Sequence, residues 1–268
     1  MSEFPIIGII GLGNVGGAVA MGMSRAGYSK RILAFDRNLE KAQGIASLTG
    51  IELAAEATDV LMKCTPIFLS VRGVQVAPFI AEHLNQLDSS KILICLAAGV
   101  RLDDIGRDLQ SGHACLLRAV TSVNAAVGQA TTLLLSPPGA APDCTSVAID
   151  VLSKLGTVRV VESEDQLDMW SVLSGCTPAV TCLLLEGLEH FASEVGIDSS
   201  EGAQIAAQCV MATMAALREL DLKPAEYRRR VAAPGGVVEK AFDAPITETL
   251  RSSTTEWLRA IARGVVEQ

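Results

Sequence analysis

The chain has 268 residues, of which 49% are hydrophobic and 19% are charged, and this balance excludes a disordered protein, because disordered chains are polar and highly charged. The formal net charge of −8 argues against a nucleic-acid partner, since nucleic-acid binders normally carry a basic patch. The seven cysteines include no C-x-x-C pair and the three histidines are far apart, so the sequence predicts reduced thiols, a cytoplasmic location and no metal site.

The first half of the chain alternates strand-like and helix-like segments. Short apolar runs predict strands, and amphipathic stretches predict the helices between them. This alternation favours an α/β fold with a mostly parallel sheet covered on both faces. The predicted strands are 5–10, 30–35, 51–54, 66–71, 91–96, 114–120, 130–135 and 157–161, and the predicted helices are 16–25, 38–48, 57–65 and 76–87.

Strand signals stop after about residue 163, and helical spacing takes over. Helices are predicted over 177–195, 199–220, 225–231 and 247–265. The sequence therefore predicts two domains, 1–162 with the sheet and 163–268 with helices only. The helical domain is rich in Ala and apolar for its size, which favours burial against a second copy of the chain. No uninterrupted apolar run reaches about 18 residues, so no membrane partner is expected.

A glycine-rich segment follows the first predicted strand and opens the first predicted helix. Gly11, Gly13 and Gly16 fit G-x-G-x-x-G, with Asn14 and Val15 between the last two glycines. In this context the first glycine permits a tight turn, the second lets the backbone approach a pyrophosphate, and the third allows close packing of helix on strand. The helix N-terminus offers free N–H groups to the phosphates. The segment predicts a dinucleotide cofactor, NAD or NADP.

The choice between these two cofactors stays open in the sequence. Asp36 ends the second predicted strand, where an acidic side chain accepts hydrogen bonds from the ribose hydroxyls of NAD. Arg37 follows immediately and is suited to the 2′-phosphate of NADP. The two residues favour opposite cofactors.

Five segments of the chain together resemble the pyrroline-5-carboxylate reductase family. They are 6–19 (IIGIIGLGNVGGAV), 71–72 (VR), 97–100 (AAGV), 168–179 (DMWSVLSGCTPA) and 233–238 (APGGVV). The resemblance implies a Rossmann-type dinucleotide-binding domain followed by a helical domain that dimerises. It also implies reduction of the ring C=N bond of pyrroline-5-carboxylate to proline by NADPH or NADH, which is a step of proline biosynthesis.

The resemblance also implies which residues bind each ligand. It places Ala97, Ala98 and Gly99 beside the nicotinamide, and it makes Val71 and Arg72, after the fourth predicted strand, further cofactor-binding residues. The substrate would be a small-molecule imine. The residues implied to hold it are Ser122, Ser174, Gly175, Cys176, Thr177, Gly235, Gly236, Val237 and Val238.

Several of these substrate positions depart from the family pattern. Ser122 stands where the family has Asn, and Val237 and Val238 replace two hydroxyl residues that lie near the substrate carboxylate in the family. Replacing hydroxyls by isopropyl groups removes hydrogen-bond donors, and a buried carboxylate needs them. The backbone N–H groups of Gly235 and Gly236 remain as possible donors. These differences predict a bulkier, less polar or differently charged imine as substrate.

Ser171 is the candidate catalytic residue, because it takes the place of the family's Thr near the imine nitrogen. A hydroxyl there can hydrogen-bond to that nitrogen or relay a proton to it as hydride reaches the carbon. A helix N-cap or an ordinary buried Ser is the structural alternative.

Two other functions remain as alternatives. One is a dinucleotide-binding regulatory protein with little or no catalysis, which the changes at the substrate positions would fit. The other is a 3-hydroxyacid-type dehydrogenase. That family uses a Lys on its central helix, and this chain has no Lys between Lys154 and Lys223, which argues against it.

Overall fold

The computed structural model describes residues 6–105, 109, 113–137, 139–242 and 244–266. The chain divides into two compact units. Unit 1 comprises Met1–Gly175 and Ala262–Gln268, and unit 2 comprises Cys176–Ile261. The division falls inside a helix, whereas the predicted domain boundary at 162/163 precedes that helix and stays a prediction.

Eight strands of the described residues form one sheet in unit 1. They are β1 (Ile7–Ile10), β2 (Ile32–Phe35), β3 (Glu52–Leu53), β4 (Ile67–Leu69), β5 (Ile92–Cys95), β6 (Cys115–Val120), β7 (Ala130–Leu135) and β8 (Gly156–Val161). Their order is β3-β2-β1-β4-β5-β6-β7-β8. Every neighbouring pair is parallel except β6 with β7, which is antiparallel. The predicted α/β class and each predicted strand are confirmed, with ends shifted by a few residues.

Helices connect these strands. They are α1 (Asn14–Arg25), α2 (Leu39–Thr49), α3 (Ala57–Lys63), α4 (Gly73–Glu82), α5 (Leu102–Ile105) and α6 (Pro142–Ser153). The sequence determines the ends of α2 directly. The Asn38 side chain accepts a hydrogen bond from the Lys41 N–H at its start, and Gly50 ends it with a φ of +70°. Helices α5 and α6 were not predicted from the sequence.

The core of unit 1 is a pair of apolar clusters. Successive residues of a strand point to opposite faces, so Ile9 and Phe68 belong to one cluster, and Ile10 and Leu69 belong to the other. Both faces of the sheet are therefore buried, as expected for a parallel sheet flanked by helices.

Five helices follow the sheet: α7 (Glu164–Glu194), α8 (Ser199–Glu219), α9 (Pro224–Val231), α10 (Val237–Phe242) and α11 (Pro245–Val266). Asp198 caps α8, because its Oδ1 accepts hydrogen bonds from the N–H groups of Ser200 and Glu201. The helical character predicted for the C-terminal region is confirmed.

The predicted start of α7 at residue 177 is wrong, because the helix begins at Glu164 and includes Gly175 and Pro178. Pro178 lacks only the N–H that would bond to the Ser174 carbonyl, and the helix continues past this single missing bond. The segment 164–176, which lies outside the predicted helix, is therefore helical.

Among the described residues, one helix, Glu164–Glu194, is long and apolar enough to cross a membrane by length and composition alone. Its most apolar 18-residue window has a mean hydropathy of 1.4, and only 6% of that window is buried in the chain. Ser, Thr and Glu residues interrupt the apolar sequence of this helix, so the helix contains no uninterrupted apolar run of about 18 residues. A single such helix does not indicate a membrane protein, since an apolar helix face also forms contacts between subunits.

Candidate active site

The three glycines of the predicted fingerprint differ in their surroundings at the end of β1. Gly11 has a φ of +91°, and a Cβ there would lie 2.4 Å from the Ser70 carbonyl oxygen. A Cβ on Gly16 would lie 1.9 Å from the Gly11 carbonyl oxygen. A Cβ on Gly13, in contrast, would meet nothing within 4 Å. The turn is tight at Gly11 and closely packed at Gly16. At Gly13 the backbone is open, and a pyrophosphate can approach it there.

Helix α1 begins directly after this open glycine. Gly13 is its N-cap and supplies no side-chain acceptor, and the first turn carries no acidic residue. The N–H groups of Asn14 and Val15 belong to the first turn of the helix, which has no intrahelical acceptors for them. Free N–H groups together with the helix dipole favour an anion at this end.

Asp36 lies against the glycine-rich turn. Its Oδ2 accepts a hydrogen bond from the Leu12 N–H at 2.6 Å, and its Oδ1 accepts one from the Asn38 N–H at 2.8 Å. Two backbone donors therefore fix the carboxylate at the carboxyl end of β2. The neighbouring Arg37 is exposed and has no hydrogen-bond or ion-pair partner within the described part of the chain.

A cleft of about 600 Å³ opens beside Asp36. Gly11, Asp36, Arg37 and Val71 contribute to its lining, so the structure brings these four predicted cofactor residues together. Its far wall is helix α4, where the rings of Phe79 and His83 stack with centroids 4.4 Å apart. The volume is within the range of pockets that hold small molecules and cofactors.

The second group of predicted cofactor residues lies at the carboxyl ends of β4 and β5. Arg72 is the N-cap of α4, and Ala97, Ala98 and Gly99 follow β5, with a φ of +68° at Gly99. A Cβ on Gly73 would lie 3.1 Å from the Ala98 carbonyl oxygen, so the start of α4 packs closely on this turn. Carboxyl ends of neighbouring parallel strands share one edge of a sheet, which places this turn on the same edge as Gly11.

A cluster of buried charges, which the sequence analysis did not assign to the site, links β6 to the first turns of α7. The Arg118 side chain is 1% exposed, and it donates to Asp168 Oδ1 at 2.7 Å and also to Glu164 Oε2. Glu164 Oε1 accepts the Leu102 N–H at 2.7 Å. Arg101 adds an exposed ion pair to Asp165 at 3.0 Å. These contacts hold the first turns of α7 beside β6. The only signal in the sequence was a basic residue inside an apolar strand.

Ser171 lies one turn further along α7. Its Oγ donates to the Asp168 carbonyl oxygen at 2.7 Å, so its lone pairs are available to a donor. Ser171 is not the helix N-cap considered above. On the same helix the Ser174 Oγ is buried and has no hydrogen-bond partner among the described residues. Ser122 is 5% exposed and precedes a short 3-10 helix after β6.

Gly175 lies at the end of the first segment of unit 1, and the remaining predicted substrate residues belong to unit 2. Cys176 and Thr177 lie within α7, whereas Gly235 and Gly236 form a turn before α10, with a φ of +75° at Gly235. The Gly235 N–H donates to Glu239 Oε2 at 2.7 Å. The Gly236 N–H donates to the Ala233 carbonyl oxygen at 2.9 Å. Both backbone donors that remained for a substrate carboxylate thus have acceptors within the unit.

The two valines start helix α10 and do not lie in a loop. Val237 is 86% exposed and Val238 is 41% exposed. Neither side chain offers a hydrogen bond. The turn and the helix start at 235–238 therefore present an apolar surface, with both of its glycine N–H groups already bonded.

Two protein-family models match this chain. Residues 164–267 match the family described as pyrroline-5-carboxylate reductase dimerisation, and residues 6–99 match the family described as NADP oxidoreductase coenzyme F420-dependent. The two matches cover most of both units and include the glycine-rich turn, the Ala97–Gly99 turn and all of α8.

Individual relatives agree with these matches. The pyrroline-5-carboxylate reductase of Escherichia coli K12 is 26% identical over 255 residues, which are 91% of this chain and 94% of the relative. The solved structure of a pyrroline-5-carboxylate reductase from Coxiella burnetii has a TM-score of 0.85 at 24% identity, with 98% of each chain covered. The Plasmodium falciparum pyrroline carboxylate reductase, solved with NADP bound, has a TM-score of 0.86 at 17% identity and covers 98% of this chain and 97% of its own. At these identities the two structures establish the fold.

Proposed function

The chain belongs to the pyrroline-5-carboxylate reductase family, and we propose that it is an oxidoreductase that reduces the C=N bond of a cyclic imine with NADPH or NADH. The observation that carries this proposal is the edge of the parallel sheet. There the open turn at Gly13, the fixed carboxylate of Asp36 and the Ala97–Gly99 turn follow strands β1, β2 and β5. A bound dinucleotide cofactor needs binding groups for its pyrophosphate, its adenosine ribose and its nicotinamide along this edge of the sheet.

The residues present fit this cofactor. The open backbone at Gly13 and the N–H groups of Asn14, Val15 and Gly16 would hold the pyrophosphate, and Asp36 and Arg37 would hold the adenosine end. The Ala97–Gly99 turn would hold the nicotinamide end. Val71, which lines the cleft beside Asp36, and Arg72 would contact the rest of the cofactor. The cofactor, when bound, supplies hydride to the imine carbon, and the protein supplies binding and orientation.

Ser171 would act at the imine nitrogen. A cyclic imine that enters the site protonated carries an N–H, and that N–H can donate to the free lone pairs of Ser171 Oγ while the Ser171 hydroxyl keeps its hydrogen bond to the Asp168 carbonyl oxygen. This contact holds the iminium nitrogen in place. Because the imine is already protonated, no strong acid is required nearby. The ion pairs of Arg118 with Asp168 and Glu164 keep the helix turn that carries Ser171 in position.

The substrate differs from pyrroline-5-carboxylate in the group that faces the turn at 235–238. The Gly235 N–H already bonds to the Glu239 carboxylate, and a second carboxylate would have to displace it against charge repulsion. Val237 and Val238 offer no donors. An imine with an apolar or uncharged group at this position fits the turn better.

The protein would act as a homodimer through its C-terminal helices. Large apolar side chains of the helical region stand exposed in the single chain, among them Leu183, Phe191, Met211 and Leu250. Such a surface is rarely left open to water, and residues 164–267 match a dimerisation family. Light scattering at micromolar concentration should give the mass of a dimer, and a stable monomer would contradict this assembly.

We also propose that the dinucleotide-binding and dimerisation domains divide at 162/163, and that the protein is cytoplasmic. The dimerisation match begins at residue 164, next to this boundary. All seven cysteines are free thiols, and Cys64 and Cys95 are buried, which suits a reducing compartment.

A regulatory dinucleotide-binding protein is the second candidate, and the bonded N–H groups of Gly235 and Gly236 are what favour it. In a protein without turnover, the N–H groups of this turn would not need to bind a substrate and could form hydrogen bonds within the protein. The two candidates separate on one observation, since a regulator binds the cofactor but consumes none with any imine.

The experiment that tests imine reduction is a panel of cyclic imines with and without a carboxylate, assayed by the consumption of NADH or NADPH. We expect faster turnover of the imines without a carboxylate. Val237→Thr combined with Val238→Thr and Glu239→Ala should raise kcat/KM for pyrroline-5-carboxylate by about ten- to a hundredfold, because donors return to the turn and the competing carboxylate leaves. If pyrroline-5-carboxylate is the best substrate of the wild-type chain, this interpretation of the turn is wrong.

A further inference from the structure

We propose that this chain binds NADH more tightly than NADPH, because the Asp36 carboxylate stands where the 2′-phosphate of NADPH would have to bind. The inference rests on the proposed function and narrows it to one of the two reduced cofactors. It makes Asp36 the specificity-determining residue of the cofactor site.

Asp36 cannot turn away from the adenosine ribose without losing two hydrogen bonds. Its carboxylate accepts the Leu12 N–H at 2.6 Å and the Asn38 N–H at 2.8 Å. Leu12 lies between Gly11 and Gly13, so the carboxylate is fixed against the turn that approaches the pyrophosphate. Each carboxylate oxygen keeps a second lone pair, which can accept a ribose hydroxyl. An acidic side chain at this position accepts hydrogen bonds from the two hydroxyls of the adenosine ribose of NADH.

The charged side chains that line the cleft are mostly acidic. Asp36, Glu56 and Glu82 all line it, and Arg37 is the only Lys or Arg side chain among the described residues of the lining, which also include His83. The Glu56 carboxylate is oriented by the Thr58 hydroxyl, which donates to it at 3.1 Å. A phosphate monoester carries about two negative charges at neutral pH. It would therefore enter a cleft whose described lining carries three carboxylates and one guanidinium.

The balance between Asp36 and Arg37 depends on their exposure. Asp36 is half-buried, whereas Arg37 is exposed to solvent. Water and salt screen the attraction of an exposed guanidinium more than the repulsion of a half-buried carboxylate. Repulsion therefore outweighs attraction for the 2′-phosphate, and the hydroxyl of NADH gains a hydrogen bond instead.

The test is a fluorescence titration of the full chain with NADH and with NADPH, without any imine. We expect a Kd for NADH at least about tenfold below that for NADPH, as one interaction with a charged group supplies. Asp36→Asn keeps an acceptor for the Leu12 N–H and removes the charge, so it should tighten NADPH binding and bring the ratio of the two Kd values near one. Glu201→Gln makes the same change of charge on helix α8 and should leave both Kd values unchanged.

Two results would overturn the preference: tighter binding of NADPH by the wild-type chain, or an unchanged Kd ratio in a folded Asp36→Asn variant. If Asp36→Asn does not fold, Asp36→Ser is the second variant, because it also removes the carboxylate charge, and an unchanged Kd ratio in that variant contradicts the preference. Arg37→Gln should change NADPH binding by less than about tenfold, and a larger loss would make Arg37 the dominant residue.

The titration also separates this inference from the proposed function. Binding of neither dinucleotide would overturn the proposed function, and the preference with it. Binding of NADH over NADPH without turnover of any imine would overturn imine reduction and still support the preference.

Discussion

The guanidinium of Arg118 in strand β6 donates to the carboxylate of Asp168 in helix α7 across 2.7 Å. The Arg118 side chain is 1% exposed and the Asp168 side chain 11%, so this ion pair is nearly removed from water. The backbone carbonyl oxygen of Asp168 also accepts a hydrogen bond from the Ser171 hydroxyl. One residue thus joins the sheet to the turn of helix that carries the candidate catalytic hydroxyl.

Loss of this ion pair should destabilise the protein strongly. Asp168→Ala leaves the Arg118 charge with only Glu164 as a buried partner, and removing one member of a buried pair costs about 3–5 kcal/mol. Denaturant unfolding of the variant measures this loss. Asp165→Ala is the matched control, because Asp165 pairs with the exposed Arg101, and the loss there should stay below about 1 kcal/mol. Equal effects of the two substitutions would show that the buried pair has no special weight.

The glycine-rich turn should separate binding from folding. A side chain on Gly13 meets nothing within 4 Å, so Gly13→Val should fold normally yet lose dinucleotide binding, because the side chain occupies the space of the pyrophosphate. Gly16→Val should instead disrupt folding, since its Cβ would lie 1.9 Å from the Gly11 carbonyl oxygen. Thermal melting and cofactor titration of both variants check this contrast. Undiminished cofactor affinity in Gly13→Val would remove the turn from the cofactor site.

The Ser171 hydroxyl should matter for turnover and not for cofactor binding. Ser171→Ala removes the acceptor for the iminium N–H, and we expect kcat to fall by about ten- to a hundredfold, at the low end of acid–base effects because the substrate can enter protonated. Ser171→Thr keeps the hydroxyl and should retain most of the activity. Steady-state kinetics with a fixed imine, beside cofactor titrations, give both quantities. If the alanine variant is as active as the threonine variant, Ser171 has no role at the nitrogen.

Two buried thiols should make the protein less stable at alkaline pH. Burial raises the pKa of Cys64 and of Cys95 from 9.0 to about 11. Between pH 9 and 11 these thiols lose protons in the unfolded chain but keep them in the folded one, so the free energy of unfolding should fall as pH rises through this window. Denaturant unfolding from pH 8 to 11 measures the fall. A Cys64→Ala, Cys95→Ala variant should show a shallower slope, and an identical slope would assign the effect to other groups.

The sheet could be predicted from the sequence because its strands are short apolar runs bounded by turn residues. Burial on both faces leaves such runs without polar positions, as in Ile7–Ile10 and Ile67–Leu69. The glycine turn and Asp36 were also found from sequence, since their spacing is local. Helix α6 was missed even though Pro142 occupies a favourable first-turn position.

The features that the sequence could not predict depend on contacts between distant residues. Arg118 meets Glu164 and Asp168 across 46 and 50 positions, and no local pattern records that pairing. The early start of α7 was hidden by Gly175 and Pro178, two residues that usually interrupt helices. The bond from the Gly235 N–H to Glu239 depends on the positive φ of that turn, so only the folded backbone could show that the donor is already engaged.

Hydride transfer to a C=N carbon is the central claim, and isotope transfer tests it most directly. The wild-type chain would be incubated with a cyclic imine and with reduced cofactor that carries deuterium on the reactive carbon of its nicotinamide, and the product would be analysed by mass spectrometry. The account predicts a cyclic amine with one deuterium on the former imine carbon, formed in equal amount to the cofactor consumed. Tight cofactor binding with no labelled amine from any imine of the panel would contradict it.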